Sequence, residues 1–204
     1  MRVRLRFTIF VLAALVAGPA LAQKDAAHDW PQPPRNLPHA EKGGPAANLN
    51  TLFEALKIAP NETTAKAIED RIWAAWMMSD SDTCDLLMSR VKIATEAKNY
   101  DLAIKLLDAI IDIKPDYVEA WNERATVYYL KDDYAHSIAD IAEVLAREPR
   151  HFGALTGLGL MLQELGDDKD ALEAYRKALA VYPRMEHIPD MVKTLSEKVD
   201  GRDI

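Results

Sequence analysis

The chain has 204 residues, 49% of them hydrophobic and only 7% aromatic, with a formal net charge of −7 and a pI near 5.3. That length suits one domain of about 150 residues with appendages. An acidic chain lacks the basic footprint that displaces counterions from nucleic acid or anionic lipid, which excludes nonspecific binding to either. A composition rich in alanine and leucine and poor in glycine leans helical rather than strand-forming.

The first 22 residues read as an export signal. Arg2, Arg4 and Arg6 precede an apolar run from Phe7 to Ala17. Gly18-Pro19 breaks it, and Ala20-Leu21-Ala22 supplies small residues at the −3 and −1 positions of a cleavage site, so cleavage is expected after Ala22. The apolar run is about half of what a membrane span requires, and no cysteine follows it to carry a lipid. The alanine-rich core points to bacterial export and hence to a periplasmic protein with no membrane span after cleavage. Removing the three arginines leaves 22 basic against 32 acidic side chains.

Residues 23–47 carry Pro31, Pro33, Pro34, Pro38, Pro45 and Gly43-Gly44, which forbid continuous helix, so a flexible leader is expected there. Trp30 within it is a residue able to dock on the domain or on a partner. Residues 48–83 hold two amphipathic helices. Leu52, Phe53, Leu56 and Ile58 line the first, and Ala67, Ile68, Ile72, Trp73, Trp76 and Met77 line the second. This pair is read as an N-terminal cap on the array that begins at Cys84.

From Cys84 onward the chain repeats itself every 34 residues. Pro115, Pro149 and Pro183 share one column; Val91, Ala125 and Gly159 another; Ala103, Ser137 and Ala171 a third. Leu107, Ile141 and Tyr175 form a fourth, and Ile110, Val144 and Ala178 a fifth. Small residues recur where two helices must approach, and larger apolar groups recur where space between hairpins must be filled. Each unit reads as helix, polar turn, helix: 85–97 with 100–112, 119–131 with 134–147, 153–165 with 168–181. The turns carry Lys98-Asn99, Lys131-Asp132-Asp133 and Gly166-Asp167. Each proline follows a second helix, which cannot continue through it. A last helix over 188–199 has Met191, Val192, Leu195 and Val199 on one side and a polar opposite side, as a terminal cap requires.

These units resemble the tetratricopeptide repeat (TPR). The match is carried by Trp121, Ala125, Tyr128, Ile141 and Pro149 in one unit and by Leu155, Gly159, Ala171, Tyr175, Ala178 and Pro183 in the next. The first unit is looser, with Leu87, Ala94, Ala103, Leu107 and Pro115; Ser137 and Val144 depart mildly from the pattern. The resemblance implies an all-α helical-hairpin solenoid of three repeats (84–117, 118–151, 152–185), preceded by the degenerate pair and closed by the helix and tail of 186–204. It also implies that the first helix of each repeat lines a concave face that captures a protein or peptide. In this chain that face takes in Met88, Lys92, Glu119, Asn122, Glu123, Thr126, Tyr129, Thr156, Leu160 and Gln163. Some family members clamp a peptide carboxylate there, but only Lys92 and Asn122 would contribute, while Glu119 and Glu123 would repel it. A ligand with basic and apolar residues is the better fit. The alternative is a structural or self-associating subunit of an envelope complex without a peptide groove. The partner's identity and the oligomeric state are not encoded in any motif.

Catalytic chemistry finds no constellation. His28, His39, His136, His151 and His187 lie at no metal-ligand spacing. Gly153, Gly157 and Gly159 lie within one helix without the strand that a dinucleotide loop follows. Asp132-Asp133 and Asp167-Asp168 sit in turns, where they favour the next helix N-terminus. No enzyme, cofactor or metal is expected. Cys84, among apolar neighbours, reads as an inert thiol. Arg124 occupies a usually apolar position, and its charge is expected to be held by Asp140 on the partner helix.

Overall fold

The computed structural model describes residues 49–201, with Pro33 before them. The export signal, the leader with Trp30, and the last three residues lie outside the described residues. Among the described residues there are nine helices and no strand. They are α1 (Leu49–Lys57), α2 (Glu62–Trp76), α3 (Asp82–Glu96), α4 (Tyr100–Ile113), α5 (Val118–Leu130), α6 (Tyr134–Arg147), α7 (Phe152–Glu164), α8 (Asp168–Val181) and α9 (Ile188–Val199). None is long and apolar enough to cross a membrane.

The 34-residue period is written into the backbone as well as the side chains. Lys98, Asp132 and Gly166 all adopt positive φ (56°, 58° and 83°). In each turn the next residue donates its amide to a carbonyl in the helix just ended: Asn99 to Ala94 O, Asp133 to Tyr128 O and Asp167 to Leu162 O, at 2.8 to 2.9 Å. Those same residues then cap the following helix, their side chains accepting from Leu102, His136 and Asp170 amides. One helix is thus ended and the next begun within two residues. At the other end of each unit, Lys114, Glu148 and Tyr182 leave the helical region, with φ between −127° and −141° and ψ between 79° and 89°, away from the helical values that a following proline disfavours.

α3–α4, α5–α6 and α7–α8 form three antiparallel hairpins stacked in sequence, and α9 packs on α8. Packing inside each hairpin is size-matched. A Cβ on Gly159 would stand 2.5 Å from the Tyr175 ring, so the largest residue of that column faces the smallest of the other. In the preceding hairpin Ala125 shares a core with Ile141, and Ser137 fits because its hydroxyl donates to Ala125 O at 2.7 Å. Cys84 is fully buried in the first hairpin's core. Arg124 pairs as its position demands. Nε and Nη2 each reach an Asp140 oxygen at 2.8 Å, and Nη1 reaches Asp108 Oδ1 at 2.6 Å, joining α5 to α4 and α6. α9 covers the end of the array with Ile188 and Leu195; Lys198 pairs with Asp168, and Arg176 with Asp200.

The α1–α2 pair departs from expectation. It does not sit at the outer edge of α3 as a cap. Its side chains instead form one core with Phe152 and Tyr182, which lie at the start of α7 and the end of α8. Ile58 lies past the end of α1 and is 80% exposed, and Ala67 faces solvent. The edge left bare shows in α3 itself, where Leu86 and Ile93 are 56% and 65% exposed.

Candidate partner-binding face

α2 packs on the array where the first helices of the repeats begin, and the residues it meets recur at the repeat period. Each junction between repeats follows the pattern Pro, basic or acidic residue, then a residue that turns inward: Tyr117, His151 and Met185. All three touch the α1–α2 pair or the turn that ends it. Tyr117 Oη donates to Met77 O at 3.0 Å, His151 stacks on Trp76, and Met185 packs against the core that holds Trp73. The residues just before, Arg150 and Arg184, hold α1 and its end. Arg150 Nη1 donates to Asn50 Oδ1 at 2.8 Å and its guanidinium lies 4.2 Å from the Phe53 ring centre. Arg184 Nε donates to Ala59 O at 2.7 Å.

At the centre is an aromatic cluster. The Trp76 and His151 rings are parallel within 9° at 4.1 Å, and Trp73 meets Phe152 edge-on at 5.6 Å. Phe152 in turn meets Tyr182 at 5.5 Å. Such offset and edge contacts add about 0.5–1.5 kcal/mol each beyond the area they bury. Gly153 makes room: a Cβ there would come within 2.9 Å of the Trp73 ring. Glu69, one turn before Trp73, accepts from Trp73 Nε1 at 3.3 Å and from the Tyr182 hydroxyl at 3.1 Å. Burial, followed by the Glu69 charge and hydrogen bond, raises the Tyr182 phenol well above its usual range.

Beneath Trp76 lies a buried polar set. His151 has its tautomer fixed by geometry. The Ala154 amide donates to Nδ1 at 3.0 Å, so the ring proton is on Nε2 and is donated to Glu119 Oε1 at 2.8 Å. The imidazole is therefore at once the cap of α7 and a donor to α5. Glu119 also accepts from Asn122 Nδ2 at 3.0 Å, and His151, Glu119 and Asn122 are all buried. Glu123, one turn along α5, has its carboxyl pushed up to about 8 by burial, with the Glu119 charge adding and Lys92 opposing. Among the described residues no group of three potential metal ligands converges.

The ten face residues expected from register divide into four groups. Glu119, Asn122, Thr126 and Thr156 are buried on the inner side, the two threonines donating to Asn122 O and Phe152 O within their own helices. Met88 is buried in the first hairpin's core, and Leu160 packs in the last. Tyr129 is buried, its hydroxyl donating to Glu164 Oε1 at 2.8 Å, and Gln163 accepts from the Tyr175 hydroxyl at 3.2 Å. Lys92 is exposed and Glu123 half-buried, near enough for the Lys92 charge to act on the Glu123 carboxyl. Register alone misses His151, Phe152 and Tyr182, which stand at the junctions between repeats and outside the expected face positions. The signal was present: Arg150 and Arg184 are 34 apart, as are Tyr117, His151 and Met185.

Comparison with known proteins agrees with this architecture. The tetratricopeptide-repeat family model matches residues 88–142 and 131–186. A TPR repeat-containing protein of Rhizobium etli is 39% identical over 157 residues, covering 77% of this chain and 77% of that protein. Among solved structures, the first TPR of Spaghetti (RPAP3) bound to HSP90 peptide SRMEEVD superposes with a TM-score of 0.55 at 19% identity, covering 60% of this chain and 97% of that one. The Sgt2 TPR domain from Aspergillus fumigatus gives 0.54 at 24% identity, covering 59% and 81%. The chain belongs to the tetratricopeptide-repeat family.

Proposed function

We propose that this chain is an exported, non-enzymatic scaffold that captures a segment of another protein on the inner side of its repeat array. The observation that carries the reading is that α2 already packs where the first helices of the repeats begin, as a ligand would, through ring stacking on His151 and Phe152 and through the Glu69 carboxylate, while two arginines hold α1 beside it. A TPR fold neighbour holding a peptide supports the same use of the fold. That peptide is acidic, however, and the floor here carries Glu119 and Glu123, so a different ligand chemistry is expected. Export to the periplasm is supported by the arginines, apolar run and small-residue site of the first 22 residues. A mature N-terminus at Gln23 in the envelope fraction would establish it.

The test of the scaffold reading is site-specific photo-crosslinking of the full chain in the cell. A crosslinker at Lys92, an exposed residue of the face expected from register, should trap a discrete protein adduct. One at Lys177, exposed on α8, is the control. Adducts at Lys177 but none at Lys92 would reject the inner face as the capture surface. A second reading, self-association, has one specific support in the bare edge of α3. If it holds, Leu86→Glu with Ile93→Glu lowers the mass measured by light scattering.

A further inference from the structure

α2 is held by contacts that any helix of the same chemistry would make. Its two large rings, Trp73 and Trp76, are one turn apart and therefore on one face. They enter a seat made by His151, Phe152 and Tyr182, with the gap at Gly153 accepting the edge of the first ring. The acid four residues earlier, Glu69, meets the Tyr182 hydroxyl. Outside the helix, Arg150 and Arg184 bind an amide oxygen and a backbone carbonyl, groups that most chains supply. The seat thus reads three features of its occupant: a helix, an aromatic pair at i and i+3, and a carboxylate at i−4.

We infer that the partner of this chain is a helical segment carrying that acid and aromatic pair, and that α2 is its resident competitor. The inference rests on the inner face being the capture surface. Both helices cannot occupy one seat, because Trp76 lies flat on His151 and Trp73 abuts Gly153. Only five residues, 77–81, separate α2 from α3. A short tether holds a resident ligand at an effective concentration of order mM, so an outside helix of equal quality is strongly outcompeted. Its apparent affinity falls by the fraction of chains whose seat is open. Capture then requires a partner that binds better than α2, or one delivered at high local concentration.

The test uses the full chain and a fluorescent peptide of residues 61–77. Trp73→Ala with Trp76→Ala in the chain empties the seat without touching its walls. The peptide is expected to bind this variant on the order of 100-fold more tightly than it binds the unaltered chain. A peptide with both tryptophans replaced by alanine is expected not to bind. Circular dichroism checks that the variant keeps its repeats. If it does not, Tyr182→Phe added to a full chain already carrying Glu69→Ala reads the acid contact: it should weaken the native peptide severalfold and leave a Glu69→Ala peptide unchanged. Equal binding of native and alanine peptides would overturn the inference, as would equal binding to the open and unaltered chains. The crosslink at Lys92 separates the two failures. An adduct there with no peptide selectivity removes only the partner class, whereas no adduct removes the capture surface itself.

Discussion

The α1–α2 pair and the three later hairpins are built alike yet behave differently. Each later hairpin carries small residues where its neighbour must approach, and each ends on a proline that turns the chain into the next unit. α1–α2 carries Lys57 where the repeats put a small residue and Ser81 where they put proline. It has instead two tryptophans one turn apart. Without the stacking surface it gains little at the array's edge, and with the tryptophans it gains a large buried aromatic area against His151, Phe152 and Tyr182. The comparison teaches that a hairpin's place in a solenoid is decided by which of its faces is equipped, not by its position in the chain.

The sharpest way to break that contrast is to remove the tryptophans. Trp73→Ala with Trp76→Ala is expected to cost the docked pair about 3–5 kcal/mol per ring. Hydrogen exchange and limited proteolysis should then open residues 49–76 while 82–199 stay protected. Arg124→Ala acts on the array instead. It strands the buried Asp140 carboxylate and should cost about 3 kcal/mol, read as a lower urea midpoint for the repeats. Gly159→Ala presses a methyl group into the Tyr175 ring and is expected to cost about 1–3 kcal/mol; Gly159→Ala with Tyr175→Leu should recover most of it.

Glu123 sharpens the comparison through pH. Its folded-state pKa lies above its unfolded value, so the folded form holds the proton longer. Its contribution is therefore full below the ordinary carboxylate range and is lost as pH rises towards about 8. Glu123→Gln should flatten that slope between about pH 5 and 8 relative to the unaltered chain, measured as Tm against pH. Glu119, Lys92 and His151 are present in both proteins, so the difference isolates Glu123. The smallest effect is a gain. Lys98 takes the positive-φ position that Gly166 fills in the third repeat, and Lys98→Gly should stabilise the first hairpin by about 0.5–1 kcal/mol.

The repeats were legible because every contact that defines them lies within one period. Pro115, Pro149 and Pro183 fixed the register, and Gly159 opposite Tyr175 is the kind of pairing that columns reveal. Arg124 was legible too, since a charge at an apolar position on α5 requires a carboxylate on a packed neighbour. The seat of α2 was not. The Tyr182–Glu69 bond spans 113 positions and the Arg184–Ala59 bond 125, and no periodicity links such residues. His151 was hidden for a different reason. A histidine two residues after a proline reads as linker until the helix that it caps and the ring that covers it are both placed.

Those long spans bear on the order in which the molecule is made. The repeats close on contacts available as soon as each hairpin emerges, which is the regime of fast, local folding. The α1–α2 pair emerges first, yet its seat is incomplete until Tyr182 and Arg184 have followed. Trp73 and Trp76 therefore lack part of their cover through most of synthesis. In refolding from urea, tryptophan burial should lag behind the recovery of helix.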